Sequence, residues 1–421
     1  MANAILTNTI VTREAARILH QEGTFLSNVN RQYSDQFANT GGKVGSSVNL
    51  RLPSRYSVRT NATFAGQDHV ETSTPFTVSS QYGVDVSFTT ADRTLSLDDF
   101  SKRVLKPAMR QLAAKIEGDA LAAAYKTVNN YVNATTNAKM TYAYFQRAGA
   151  LMSHELAPVG DRTALLQPLS MVEFLDATKG LFAAQSNLNE QFREGMMGRT
   201  GGYDVGETIN LPSHTTGSLA GSPLTNGATL GISTTTASWT STTVLSIDGA
   251  TSTTTVKAGD IITISGVYAV TPENKVNTGR LQSFVVQADV TLTTAATAYN
   301  VTVKPAVIYG AGNPHQNCVL SGPTDMDNNT VTRIGAASTA FAQDLFFHKD
   351  AFVFATVDLE DVSPYGAQCA RAVSDSISLR WTQQYAIGSD TVAGRFDVLW
   401  GFAPLYPHLA VRHLTTQSLL V

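Results

Sequence analysis

Between Leu97 and Val132 the apolar residues fall at helical spacing: Leu97, Phe100, Val104, Ala108, Leu112, Ile116, Ala120, Ala124, Val128 and Val132. This pattern predicts one amphipathic helix over 95–133. Unbroken, it would run about 60 Å at a rise of about 1.5 Å per residue. Pro107 is expected to kink or divide it, because proline lacks the amide hydrogen and clashes with the preceding turn. Ser96 followed by Asp99 resembles a capping box with Asp in the Glu position. A helix this long and rich in alanine is a spine for other elements, not a catalytic loop.

The flanking segments read differently. Residues 1–40 are polar, with a short helix expected from Val11 to His20 and Thr12 as its cap. The following SNVNRQYSDQFANTGGKVGSS has little to bury and reads as an extended arm. Over 46–88, Val48, Leu50, Leu52, Tyr56 and Val58 share one strand face and Arg51, Arg55 and Arg59 the other. Phe76, Val78, Tyr82, Val84, Val86 and Phe88 alternate in the same way after a polar tip. This reads either as a long hairpin, bent near Pro53, or as ordinary strands of a larger sheet with solvated arginines. Residues 140–212 mix helical and strand patterns. From about 213 the chain turns to Thr, Ser, Gly and Ala, then to short strands separated by glycine turns. That stretch predicts an all-β barrel or sandwich. Mixed character returns after about 340. The fold class is α+β, with a β domain inserted into an α+β body.

Hydrophobic residues make up 43% of the 421-residue chain, enough for sizeable cores, and only 15% are charged. The polar surface must therefore come from Thr, Ser, Asn and Gln, which suits extended sheets and large protein contacts. The formal net charge is -3 and no Lys/Arg block occurs, which argues against a dedicated nucleic-acid surface. Cys318 and Cys369 match no zinc spacing and no secreted disulfide framework. The opening MANAILTNTIVTREAARIL lacks the basic start and apolar core of a signal peptide. No apolar run reaches the roughly 18 residues of a membrane span. We expect a chain kept soluble in a reducing cytoplasm, with no membrane partner.

Catalytic patterns are weak throughout. The glycine-rich EGMMGRTGGYDVGETINLP (194–212) lacks the Lys and hydroxyl of a phosphate-binding P-loop, and no buried apolar strand leads into it. The histidines show no HExxH or other paired ligand spacing. QDHVE (67–71) and SHEL (153–156) read as solvated surface. There is no GxSxG elbow, and TDMDNNT lacks the Gly and Glu of a calcium loop. No catalytic residue, metal or cofactor is expected.

The same 194–212 stretch resembles a segment of the major capsid proteins of tailed bacteriophages. Gly195, Gly198, Gly202, Tyr203, Asp204, Val205, Leu211 and Pro212 carry the likeness. The glycines would then serve tight turns and close strand approach. The order of elements follows that fold. The likeness assigns 1–45 to an N-terminal arm, 46–92 to an E-loop hairpin and 93–139 to the spine helix of a peripheral (P) domain. It assigns 140–213 to the first part of an axial (A) domain, 214–340 to an inserted β domain and 341–421 to return strands. The inserted part is similar to that of the short-tailed phage coat family typified by the Salmonella phage coat. Gly259, Asp260, Ile262, Ile264, Gly266 and Val267 carry this, with Phe284-Val285-Val286 and Val303-Lys304-Pro305.

The resemblance implies a subunit that forms hexamers and pentamers around a scaffolding protein in the host cytoplasm, with a portal. The finished virion capsid would enclose double-stranded DNA without sequence-specific binding; a decoration protein stays open. Arg51, Arg55 and Arg59, with Asp68 and Glu71 at the hairpin tip, are the expected inter-subunit contacts. A secreted adhesin or carbohydrate-binding module, or another virion protein of the tail or decoration kind, is the alternative raised by the Thr/Ser-rich strands. The long spine helix argues against both.

Overall fold

A computed structural model describes residues 8–32, 47–53, 55–56, 58, 62–64, 66, 72–89, 104–134, 139–178, 198–227, 241–292, 298–310, 313–321, 326–374 and 376–416. The chain divides into two compact units. One comprises 1–50, 75–121 and 352–405, the other 51–74, 122–351 and 406–421.

The axis of the first unit is the strand Thr391–Pro404. Along one edge it pairs with Ser80–Thr89, from Thr391↔Thr89 to Trp400↔Ser80. Along the other it pairs with Ile377–Ala386 and then Phe352–Val357, and Gln368–Ser374 adds to Ile377–Ala386. All pairings are antiparallel. Val392, Gly394 and Phe396 are buried and alternate with exposed Ala393 and Arg395, whereas from Phe396 to Gly401 every residue is buried, so this part of the strand is covered on both faces. The Trp381 ring lies over Gly394, where a Cβ would sit 2.2 Å from the ring, so only glycine fits.

The helix Asn8–Glu22 packs on this sheet. Val11, Ala15, Ile18 and Leu19 form its buried stripe at i, i+4, i+7 and i+8. Phe25 is fully buried against Phe352 and Phe402, at ring distances of 5.9 and 6.1 Å. Its amide donates to Glu117 Oε1 at 2.7 Å. Asn30 bridges to Val353. The helix expected over Val11–His20 is present within Asn8–Glu22, where small Ala15 and Ala16 let it lie close to the sheet and Thr12 is buried inside it rather than capping it; the extended arm expected from Ser27 is corrected at Val29 and Asn30, which are buried. Residues 33–46 lie outside the described residues.

The expected hairpin is shorter than its pattern. Ser47–Leu52 pairs with Thr72–Thr77 in a two-stranded sheet, while Ser80–Thr89 joins the five-stranded one. Leu50, Leu52, Phe76 and Val78 are buried as their alternation requires. Tyr56 and Val58, expected on that same face, are 59% and 92% exposed. Pro53 ends the first strand by removing a ladder donor, so the alternation does not continue past it.

The expected single helix over 95–133 is also shortened. The α-helix is Lys106–Ala124, 19 residues long. Pro107 lies in its first turn, where a missing amide hydrogen costs nothing, after a π-type turn at Val104–Leu105. The proposed cap at Ser96 and Asp99 lies outside the described residues. After Ala124 come a 3-10 turn, Tyr125–Thr127, and the strand Tyr131–Val132. Val128 and Val132 are buried but not helical. The asparagines that follow tie the extended segment to distant strands: Asn129 Nδ2 donates to the Ser283 carbonyl at 3.2 Å and Asn130 Nδ2 to the His408 carbonyl at 3.1 Å.

The second unit holds two seven-stranded sheets. In the first, Ala340–His348 lies between Ala410–Thr415 and Arg162–Leu166, and Ser213–Thr215 also pairs with it. Tyr203–Glu207 runs parallel to Arg162–Leu166, and Tyr131–Val132 parallel to Ala410–Thr415. Helices Tyr142–His154, capped by the Thr141 hydroxyl, and Pro168–Thr178 bring aromatic residues to this sheet. Phe145 stacks on Phe174 at 4.5 Å and meets Tyr203 and Phe346 edge-on.

The other sheet orders Cys318–Leu320, Ile261–Val270, Asn277–Val286, Tyr299–Lys304, Thr243–Ala250 and Gly221–Thr225, with Val331–Arg333 also on Ile261–Val270. A Leu224↔Thr330 bridge and the Thr225 amide donating to Asn329 bring its end back to its beginning. The sheet thus curls around Leu245, Ile247, Ile264, Phe284, Val301 and Val303. Gly266, at φ +77°, sits where the register of Ile261–Val270 shifts.

Candidate functional site

The glycine-rich stretch is a turn. Arg199 and Thr200 pair with Asp204 and Tyr203 across Gly201 and Gly202, whose φ values are +59° and +89°. Two positive φ values in a two-residue loop are what a hairpin twisted like its strands requires, and glycine supplies both. Gly198 is likewise at +54°. The turn points Tyr203 inward, 1% exposed, with its hydroxyl on Met152 Sδ at 3.3 Å. Burial pushes that phenol up to about 12. Asp204 stays at the surface, 3.9 Å from Arg199. Pro212 directly precedes Ser213–Thr215, while Gly195 lies outside the described residues.

Gly259 and Asp260 form a second centre. The Asp260 carboxylate, 1% exposed, accepts from the Lys257 amide at 2.9 Å and the Gly217 amide at 3.0 Å. It also hydrogen-bonds His214 Nε2 at 2.8 Å. Tyr125 Oη lies 3.4 Å from His214 Nδ1. Gly259, at φ +102°, leaves room for that Tyr125: a Cβ there would meet Tyr125 Cε2 at 2.9 Å. Its carbonyl accepts from Arg412 Nη1 at 3.1 Å. Arg412 is fully buried over the Tyr125 ring and also donates to Gln343. Burial brings its guanidinium down to about 10.

The order Tyr125–His214–Asp260 imitates a catalytic relay, but its members are 7%, 5% and 1% exposed. A substrate cannot approach them. What the arrangement does is tie strands together. Asp260 begins Ile261–Val270 of the curled sheet, His214 lies on Ser213–Thr215, and Arg412 on Ala410–Thr415 of the neighbouring sheet. Asp344 repeats the device, accepting from the Gln167 amide at 2.9 Å and Ser170 Oγ at 2.7 Å and hydrogen-bonding His413 Nδ1 at 3.0 Å.

A third centre is a cavity of about 50 Å³ lined by Arg55, Glu155, Gln282, Lys304, His315 and His408 among others. Burial, reinforced by the Arg55 charge, drives His408 down to about 3 and His315 to about 4. Glu155 faces Arg280 at 3.8 Å with its side chain 20% exposed, and burial raises its carboxyl. Solvated surface is thus the wrong reading for Glu155. Of the expected contact residues, Arg51 is exposed on Ser47–Leu52, while Arg55 lines this cavity. Arg59, Asp68 and Glu71 lie outside the described residues.

Sequence reasoning reached Gly259, Asp260 and Lys304 but missed Tyr125, His214, Asp344 and Arg412. Partners separated by 46 to 177 residues leave no spacing signal.

Buried carboxylates, histidines and an arginine that clamp strands, with no substrate-accessible relay among the described residues, are the marks of a structural protein. The chain belongs to the P22 coat protein (gene protein 5) family, which it matches over residues 19–415. It is a major capsid protein that forms the shell of a bacteriophage virion. No curated protein matches it in sequence. Among solved structures it is similar to one from Mycobacterium phage Che8, with 9% identity, a TM-score of 0.47 and coverage of 93% of this chain and 90% of that one. The acid-stable capsid of Helicobacter pylori bacteriophage KHP30 matches at 9% identity and TM-score 0.43, covering 89% and 85%. The capsid of Ralstonia phage GP4 gives 9%, 0.41, 90% and 86%.

Proposed function

We propose that the shell is built through the hairpin region 46–92, which reaches onto a neighbouring copy. The observation that carries this is apolar exposure around the loop: Tyr56 is 59% exposed, Val58 92% and Phe64 86%. Such residues gathered in one loop are a liability on a free subunit and an asset at an interface. Exposed Arg51 offers a charge to acidic or polar groups on the neighbour, and Arg59, Asp68 and Glu71, from the same stretch of sequence, are proposed to act with it. Subunits gather into hexamers and pentamers around a scaffolding protein in the host cytoplasm. A portal occupies one vertex. The low net charge fits a wall that encloses double-stranded DNA without gripping its sequence.

The test is co-expression with the scaffolding protein, imaged by negative-stain electron microscopy. The unsubstituted chain gives closed shells. A Val58→Asp/Phe64→Asp variant gives dispersed subunits with an unchanged circular dichroism spectrum. Normal shells from the variant would remove the hairpin from the assembly interface.

A further inference from the structure

The cavity lined by Arg55, Gln282 and Lys304 holds a Lys304 ammonium with no carboxylate paired to it among the described residues. Glu155 is the carboxylate on its wall, and Arg280, Arg55 and Lys275 all act on it. Lys275 is further engaged through Nζ, which donates to the carbonyls of Pro314 and Gln316, each at 3.0 Å. Lys304, at the end of Tyr299–Lys304, makes no ion pair and no side-chain hydrogen bond among the described residues. The Gln282 amide on the adjacent strand, 5% exposed, also makes no side-chain hydrogen bond among them. His315 and His408 on the same wall are held neutral, so they add no charge but can donate a hydrogen bond.

A half-buried ammonium facing a cavity without a counter-ion is costly. That cost falls if an anion enters, and the Gln282 amide on the same wall adds a donor for it. One water needs roughly 10–15 Å³ of such space, so about 50 Å³ admits a small polyatomic anion and excludes a nucleotide. We propose that this cavity is an oxyanion site, in which Lys304 and Arg55 balance the charge of a phosphate or carboxylate group and Gln282 donates to one of its oxygens. The anion is either free in solution or the acidic side chain of a second copy in the shell. The second source alone rests on the assembly reading above.

The experiment uses the full-length soluble subunit at pH 7.5. Its melting temperature is followed against sodium phosphate, with sodium chloride at matched ionic strength as control. A free-anion site gives a rise of about 2 °C per tenfold increase in phosphate above the dissociation constant. Lys304→Met abolishes the rise while keeping the circular dichroism spectrum, and Gln282→Leu weakens it, which serves as a second reading should Lys304→Met not fold. For the other source, assembled shells are treated with a carbodiimide. A cross-link from Lys304 to an Asp or Glu of another copy, without any phosphate response in the subunit, assigns the site to a carboxylate. An equal phosphate response in Lys304→Met, or neither response nor cross-link, overturns the proposal.

Discussion

Gly259 is the residue on which most of the second unit's polar clamp depends. Its φ of +102° favours glycine, and a Cβ would press on Tyr125, which cannot retreat because Arg412 covers its ring. Gly259→Ala is expected to cost about 2–4 kcal/mol, from backbone strain and a buried clash together. Urea unfolding of the single variant, and of the same variant with Tyr125→Ala, checks this. The pair should be less than additive, since removing the ring removes the clash. Gly259 and Asp260 were legible because they belong to the stretch that carries the resemblance to the inserted domain of the coat family. Arg412 was not, because nothing in the sequence marks an arginine that becomes fully buried. His315 and His408 set a pH dependence. Folded, they titrate at about 4 and about 3; unfolded, near 6.5. As pH falls below 6.5 the unfolded chain takes up protons that the folded chain refuses, so stability present above 6.5 is lost on acidification. At pH 5 each histidine costs about 2 kcal/mol, from roughly 1.5 pH units at about 1.36 kcal/mol each. Glu155 opposes this in part: its raised carboxyl binds a proton earlier in the folded state, which favours folding as pH falls towards 4.5. Denaturation midpoints at pH 7.5 and 5 should therefore differ, and a His315→Gln/His408→Gln pair should flatten the difference.

Elements were legible where one period ran without interruption. The strands Arg162–Leu166 and Phe352–Val357 are buried at every position, and their apolar stretches Ala164–Leu166 and Phe352–Ala355 read as buried strand. Helix Tyr142–His154 likewise follows its pattern. Elements were misread where a pattern crossed a breaker. Val128 and Val132 keep the helical spacing of the preceding residues, yet the intervening asparagines carry them into an extended segment. Tyr56 and Val58 keep the strand alternation past Pro53 and end up in solvent. The N-terminal helix was read too short for another reason: Ala15 and Ala16, two of its five buried apolar residues, add little apolar signal but permit close packing. That contact is testable. Leu19, 3% exposed between the helix and the sheet, should cost about 2–4 kcal/mol when replaced by alanine. A denaturant midpoint that does not move for Leu19→Ala would mean that the helix contributes nothing to the first unit.

At the scale of the whole molecule, the chain has to be stable alone and sociable in company. Buried clamps such as Asp260 and Asp344 serve the first need, and in the proposed assembly the exposed residues around the hairpin serve the second. A closed shell forms accurately only if each contact is weak enough to break, because misplaced subunits must leave before the shell closes. The consequence is graded. Replacing Phe64, which is 86% exposed, with alanine removes apolar area from every hairpin contact without touching the core. A loss of about 1.4 kcal/mol per subunit is a factor of about 10 in an association constant. Phe64→Ala should therefore raise the critical concentration for assembly about tenfold, read by light scattering against subunit concentration with the scaffolding protein fixed. The melting temperature of the free subunit should stay where it is, since an exposed side chain stabilises nothing in the monomer. A shift in melting temperature with an unchanged critical concentration would place Phe64 in the subunit's own fold and leave the interface to be sought elsewhere on the molecule.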